Sequence, residues 1–163
     1  MVEEFIKIGV YNFKKPEWWD NINVNIPENL KTDNDVRGFA EEKYNSDVGT
    51  KNNWREALKF HALAAQKLNY FPLYIAFCYR TGKEYNLAIQ VFTELYELAE
   101  TQAENKEWFK TYIPFNLGRI YNTINDNENA KIWYTKASKF IKNKDTSIVS
   151  YAKRALEELE YLK

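Results

Sequence analysis

From about Asn34 onward, apolar residues return every three to four positions, the spacing that places them on one side of an α-helix. Turn and cap residues cut this stretch into seven helical segments, at roughly 34–46, 53–68, 72–82, 84–103, 106–124, 126–141 and 146–162. Asn53 followed by Glu56 reads as an Asn variant of the capping box. Pro72 suits a first helical turn, where its missing N–H costs nothing. Pro114 falls inside the fifth segment and is expected to kink or restart it. The N-terminal stretch, 1–33, differs. Ile6, Ile8 and Val10 alternate with Lys7, Gly9 and Tyr11, and then Pro16, Trp18, Trp19 and Pro27 interrupt any helix. That pattern predicts an extended arm with one short strand.

The helical part repeats itself. Ile75-Ala76-x-x-Tyr79 followed by Ala88 and Phe92 aligns with Leu117-Gly118-x-x-Tyr121 followed by Ala130, Tyr134 and Ala137. The same 12-residue interval separates Ala76 from Ala88 and Gly118 from Ala130. Small residues at these places let two helix backbones approach, and aromatic residues one turn away wedge the pair. The unit is therefore a helix hairpin.

This pattern resembles the tetratricopeptide repeat, which places Leu-Gly-x-x-Tyr on its first helix and Ala-x-x-x-Phe on its second. The copy at 112–138 fits well, and the copy at 70–96 replaces Leu-Gly by Ile75-Ala76. A weaker copy uses Ala40 on one helix and Ala57 and Ala64 on the next, with a longer turn around 47–51. Its Gly49 to Trp54 stretch, Ala57 and Ala64-Ala65 look more like the Sel1-like repeat. The resemblance implies an all-α superhelix of about three hairpins over 34–163, closed by a C-terminal capping helix and preceded by the arm at 1–33. Ala57 to Ala88 spans 31 residues and Ala88 to Ala130 spans 42, against about 34 for the family, so the central hairpin is lengthened. The last segment carries Ser147-Ile148, Tyr151-Ala152, Ala155-Leu156, Leu159 and Leu162 on one side and Lys153, Arg154, Glu157, Glu158 and Glu160 on the other, as a solvating cap requires.

Charge narrows the list of partners. Lys plus Arg and Asp plus Glu number 23 each in the 163 residues, so no basic excess exists to hold a nucleic acid or an acidic membrane. Glu3 and Glu4 stand where a secretory signal needs basic residues, and no apolar run is long enough to span a bilayer, so a cytoplasmic protein is expected. One Cys and one His exclude a disulfide framework and a Cys/His zinc cage within the chain. His61 and Cys78 read as packed core residues, with no neighbouring nucleophile or base to give them chemistry. The familiar phosphate-loop, nucleophile-elbow and zinc-protease motifs are missing. The expectation is a non-enzymatic module without metal or cofactor.

In the family the first helix of each pair lines a concave groove. The resemblance thus points to Leu73, Tyr74, Phe77 and Arg80 from one copy, Phe115, Asn116, Arg119 and Asn122 from the next, and Arg37 from the first as peptide-binding residues. Rings supply contact area, Asn bonds a ligand backbone and Arg pairs a carboxylate. Equally open is that Tyr74, Phe77 and Phe115 contact neighbouring helices instead. The pair Trp18-Trp19 in the arm either packs back onto the helices, with their groove as one place for it, or anchors a partner subunit, which would allow a homodimer. The expected function is binding of a protein or peptide segment. A small dedicated chaperone or adaptor of a secretion or assembly system is the alternative, followed by an enzyme or enzyme inhibitor and by a structural subunit that packs through its helix sides.

Overall fold

A computed structural model describes residues 4–102 and 104–162, excluding the side chain of Gln102. Among the described residues the chain forms a β-hairpin and then seven helices, in two compact units, Met1–Ala88 and Ile89–Lys163. The boundary falls within the fourth helix.

The first unit opens on β1 (Phe5–Ile8) and β2 (Tyr11–Lys14), paired antiparallel with Ile6 opposite Phe13 and Ile8 opposite Tyr11. These four side chains share one buried face, whereas Phe5, Lys7, Asn12 and Lys14 face outward. Gly9 takes the first place of the two-residue loop at φ +61, a conformation that costs other residues strain. The expected single strand is thus a hairpin: Tyr11-Asn12-Phe13-Lys14 alternates as cleanly as the strand before it. A short 3₁₀ turn follows at Trp19–Asn21.

Helix α1 (Asp33–Tyr44) begins at a capping box in which Asp35 replaces the usual Glu. Its Oδ2 accepts from the Thr32 N–H at 3.1 Å and from the Lys31 N–H at 3.0 Å, and Thr32 Oγ1 accepts from the Asp35 N–H. Helix α2 (Trp54–Leu68) starts differently from the sequence expectation. Asn53 makes no side-chain bond to α2; its Oδ1 accepts from the Thr50 N–H at 2.7 Å and its Nδ2 donates to the Tyr44 carbonyl at 3.1 Å. Asn53 thereby ties the 46–53 turn to the end of α1, because a short amide reaches a tight preceding turn as readily as the helix it precedes.

Helices α3 (Leu73–Thr81), α4 (Tyr85–Gln102), α5 (Lys106–Thr123), α6 (Asn127–Ser138) and α7 (Thr146–Tyr161) complete the chain. The α3–α4 turn and the α5–α6 turn use one hydrogen-bond pattern. The Glu84 N–H donates to the Tyr79 carbonyl and the Asp126 N–H to that of Tyr121, both at 2.9 Å; Lys83 and Asn125 sit at φ 60 and 63. This is the helix-ending arrangement that closes with a left-handed residue. Helix α5 continues through Pro114 without a break. Pro114 removes one bond to the Lys110 carbonyl, and its ring is buried.

Candidate functional site

The second unit is built around a close helix crossing. A Cβ on Gly118 would lie 2.6 Å from two ring carbons of Tyr134, so only glycine lets the ring of α6 lie flat on α5. Tyr134 is fully buried with Ala130, Ala137, Ala155 and Phe115, and Tyr121, Tyr151, Leu159 and Leu162 pack against them. Burial pushes the Tyr134 phenol up to about 12, and its OH has no hydrogen-bond partner. Helix α7 packs against both α5 and α6, which brings its Tyr151 and Arg154 to the first helix of the pair.

Around Phe115 the two helices assemble one continuous aromatic and cationic surface. Trp108 stacks on Tyr112 with centroids 4.5 Å apart, Tyr112 meets Tyr151 at 4.7 Å, and Tyr151 meets Phe115 at 5.5 Å. Over the Phe115 ring stand two guanidiniums, that of Arg119 at 5.7 Å and that of Arg154 at 4.6 Å. Both arginines are exposed, and so is Asn122 one turn along α5. Phe115 and Asn116 are buried: Phe115 follows the packed one of its two open readings, and Asn116 does not project outward as a groove residue would. Phe115 is the floor beneath the arginines, and Asn116 turns its Nδ2 back to the Tyr112 carbonyl at 2.9 Å.

The first unit carries a smaller surface of the same kind. Tyr74 of α3 lies between His61 of α2, stacked on it at 5.0 Å, and Arg37 of α1, whose guanidinium is 5.5 Å from the ring centre and 3.8 Å from Asp47. Arg80 stands over Phe77 at 4.6 Å. Leu73 and Phe77 are buried, so neither projects freely as a groove residue would; Tyr74 and Arg80 are half-buried and Arg37 is exposed. The physical reason is that α3 is apolar nearly all round and is covered on more than one side. His61 is buried and its Nε2–H donates to the Asp47 carbonyl; desolvation holds its pKa down at about 4, so the ring is neutral at pH 7. Cys78 is fully buried, and burial pushes its thiol up.

The tryptophan pair of the arm packs back. Trp19 is buried against Phe13 at 5.9 Å, and Trp18 meets Trp54 of α2 edge-on at 5.7 Å. The Lys59 ammonium fixes this arrangement by donating to the Trp19 carbonyl at 2.7 Å and the Ile22 carbonyl at 2.6 Å, with its charge 5.1 Å from the Trp19 ring. Trp54 in turn lies on Gly82, where a Cβ would come within 2.2 Å of its ring. These anchors belong to α2, the second helix of its hairpin, rather than to the first-helix surface around Tyr74.

The crossing at Gly118, the buried Tyr134 and the Asp126 turn make the α5–α6 hairpin recognisable. Residues 115–144 match the tetratricopeptide repeat family. That repeat starts at Phe115 and takes in the rest of α5, the Asp126 turn and all of α6. Tetratricopeptide repeats are protein-interaction repeats, and the match agrees with the resemblance read from Leu117-Gly118-x-x-Tyr121 and Ala130. No curated protein and no solved structure matches the chain. Among the described residues no group of three or more His, Cys, Asp or Glu is placed to hold a metal ion, and no helix is long and apolar enough to cross a membrane.

Sequence reading overlooked four residues of this surface: Trp108, Tyr112, Tyr151 and Arg154. The signal for the first two was present, since 108, 112, 115 and 119 follow each other at helical spacing. Tyr151 counted on the apolar side of the capping helix and Arg154 on its charged side, and neither place shows that both meet Phe115 of α5.

Proposed function

We propose that this chain is a non-enzymatic interaction module that seats a peptide or protein segment against the first-helix surface of its tetratricopeptide repeat, and so recruits a partner. The α5–α7 surface carries this reading. Rigid rings of Trp108, Tyr112 and Tyr151 offer contact area that loses little side-chain entropy on binding, and two arginines provide directional donors beside them, the composition that binding hot spots favour. Arg119, Arg154 and Asn122 are the proposed contacts of the ligand, with Phe115 as their floor. Arg37, Tyr74 and Arg80 are the corresponding candidates in the first unit.

A photo-crosslinking amino acid placed at Asn122 tests this against the same reagent at Ile132, an exposed residue of α6. In extract of the native cells, the probe at Asn122 is expected to yield a defined protein adduct that a competing excess of unmodified chain removes. Adducts from Ile132 alone would move the interface to the second helices and refute the assignment.

A further inference from the structure

We infer that Arg119 and Arg154 form a receptor for the phosphate group of a phosphorylated serine or threonine in the partner segment. This rests on the segment-binding reading above and names what that surface selects.

The observation is a pair of exposed guanidiniums from two helices over one ring, with Glu158 in the neighbourhood but no carboxylate bonded to either among the described residues. Two guanidiniums from different helices converge on one ring, within 5.7 and 4.6 Å of its centre. Glu157 and Glu158 follow Arg154 at the helical spacing of an ion pair. Yet among the described residues no carboxylate lies at ion-pair distance from either arginine. Some other cations are committed, although Arg55 over Trp54 is paired with no carboxylate among the described residues. Arg37 pairs with Asp47, Lys106 and Lys110 share Glu100 at 3.1 Å each, and Lys59 is spent on two carbonyls.

Charge arithmetic selects the ligand. Two guanidiniums carry two positive charges and present planar forks of donors. A side-chain carboxylate brings one negative charge and two oxygens, enough for one fork. A phosphate monoester brings about −1.5 to −2 at neutral pH and three acceptor oxygens, so one group satisfies both forks at once. The neighbouring rings fix what surrounds it: Tyr112, Tyr151 and Trp108 form an apolar shelf for a hydrophobic residue beside the phosphorylated one. A polyanion such as a nucleic acid does not suit a chain with 23 basic and 23 acidic residues, because two arginines neutralise too few phosphates to hold it.

The experiment uses the full chain, immobilised, and three degenerate peptide libraries identical except for a fixed central phosphoserine, serine or glutamate. Capture of the phosphoserine library at least tenfold above the serine library is expected, with apolar residues enriched beside the phosphate. Arg119→Gln and Arg154→Gln should each remove most of that preference at unchanged circular dichroism, while Arg55→Gln on α2 should leave it intact. Inorganic phosphate at millimolar concentration should compete only weakly, since it lacks the flanking residues. Equal capture of phosphoserine and serine libraries, both reduced by Tyr151→Ala, would overturn the phosphate assignment and leave segment binding standing. Capture of the phosphoserine library unaffected by either arginine substitution would place the phosphate elsewhere and also overturn it. No capture of any library would overturn both.

Discussion

Replacing Gly118 by alanine adds a single methyl group at the tightest helix crossing of the second unit, and its effect follows from the geometry. The new Cβ would stand 2.6 Å from Cδ1 and Cε1 of Tyr134 and 2.9 Å from Cγ, whereas carbon atoms in contact prefer about 3.5–4.0 Å. The ring must therefore retreat by about 1 Å. It has nowhere free to go, being fully buried with Phe115, Ala137 and Ala155 and backed by Leu159 and Leu162. Overpacking of this kind costs about 1–3 kcal/mol. Against it stands the gain of about 1 kcal/mol from alanine over glycine inside a helix. The balance is a net loss of up to about 2 kcal/mol. Urea unfolding followed by circular dichroism reads the size of the loss, and amide hydrogen exchange places it, with protection expected to fall across α5 and α6. A Tyr134→Ala background supplies the control. With the ring gone the clash vanishes, and Gly118→Ala should become neutral or stabilising by up to about 1 kcal/mol. The same penalty in both backgrounds would refute the crossing as its cause.

Two further outcomes concern the first unit. His61 has a folded pKa of about 4 against 6.5 when unfolded, so above pH 6.5 both states hold it neutral and below that only the unfolded state takes up a proton. Stability should thus fall as pH drops from 6.5 toward 4, by about 2 kcal/mol between pH 7.5 and 5.0 at ~1.4 kcal/mol per pH unit. Urea midpoints at those two pH values should show this loss in the native chain and little of it in His61→Phe; an equal loss in both would remove His61 as its source. Lys59→Met keeps the aliphatic stem but deletes both bonds to the Trp19 and Ile22 carbonyls, at a cost of about 1.5–3 kcal/mol for bonds to a charged donor. Limited proteolysis should then cut within 16–32 well before the helices, and an arm that stays resistant would show that Trp18 and Trp19 hold it unaided.

What the sequence alone determined is what depends on neighbours within a turn or two of chain. Helical spacing marked the helices α1 to α7, and the matching Ala and Gly intervals marked the hairpin that the tetratricopeptide repeat occupies. Even Gly118 could be read correctly, because the small-residue rule and the aromatic position on the next helix both lie within a single helix hairpin. The arm yielded only a single strand to this reading, because Gly9 and Val10 shift the alternation so that Tyr11, and not Val10, turns inward.

Tertiary structure decided the rest, for reasons of distance and of competition. Lys59 reaches carbonyls 40 and 37 residues away, and no spacing rule links an ammonium to a particular backbone oxygen that far along the chain. Trp54 finds Gly82, and Arg154 finds Phe115, only because intervening helices fold them together. Asn53 and Asn116 could each bond outward or back to the chain, and packing chose the carbonyls of Tyr44 and Tyr112. The candidate surface belongs to this second class. Its residues come from α5 and α7, which the whole of α6 separates along the chain, and their convergence on a single ring is a property of the packed helices and not of any local motif.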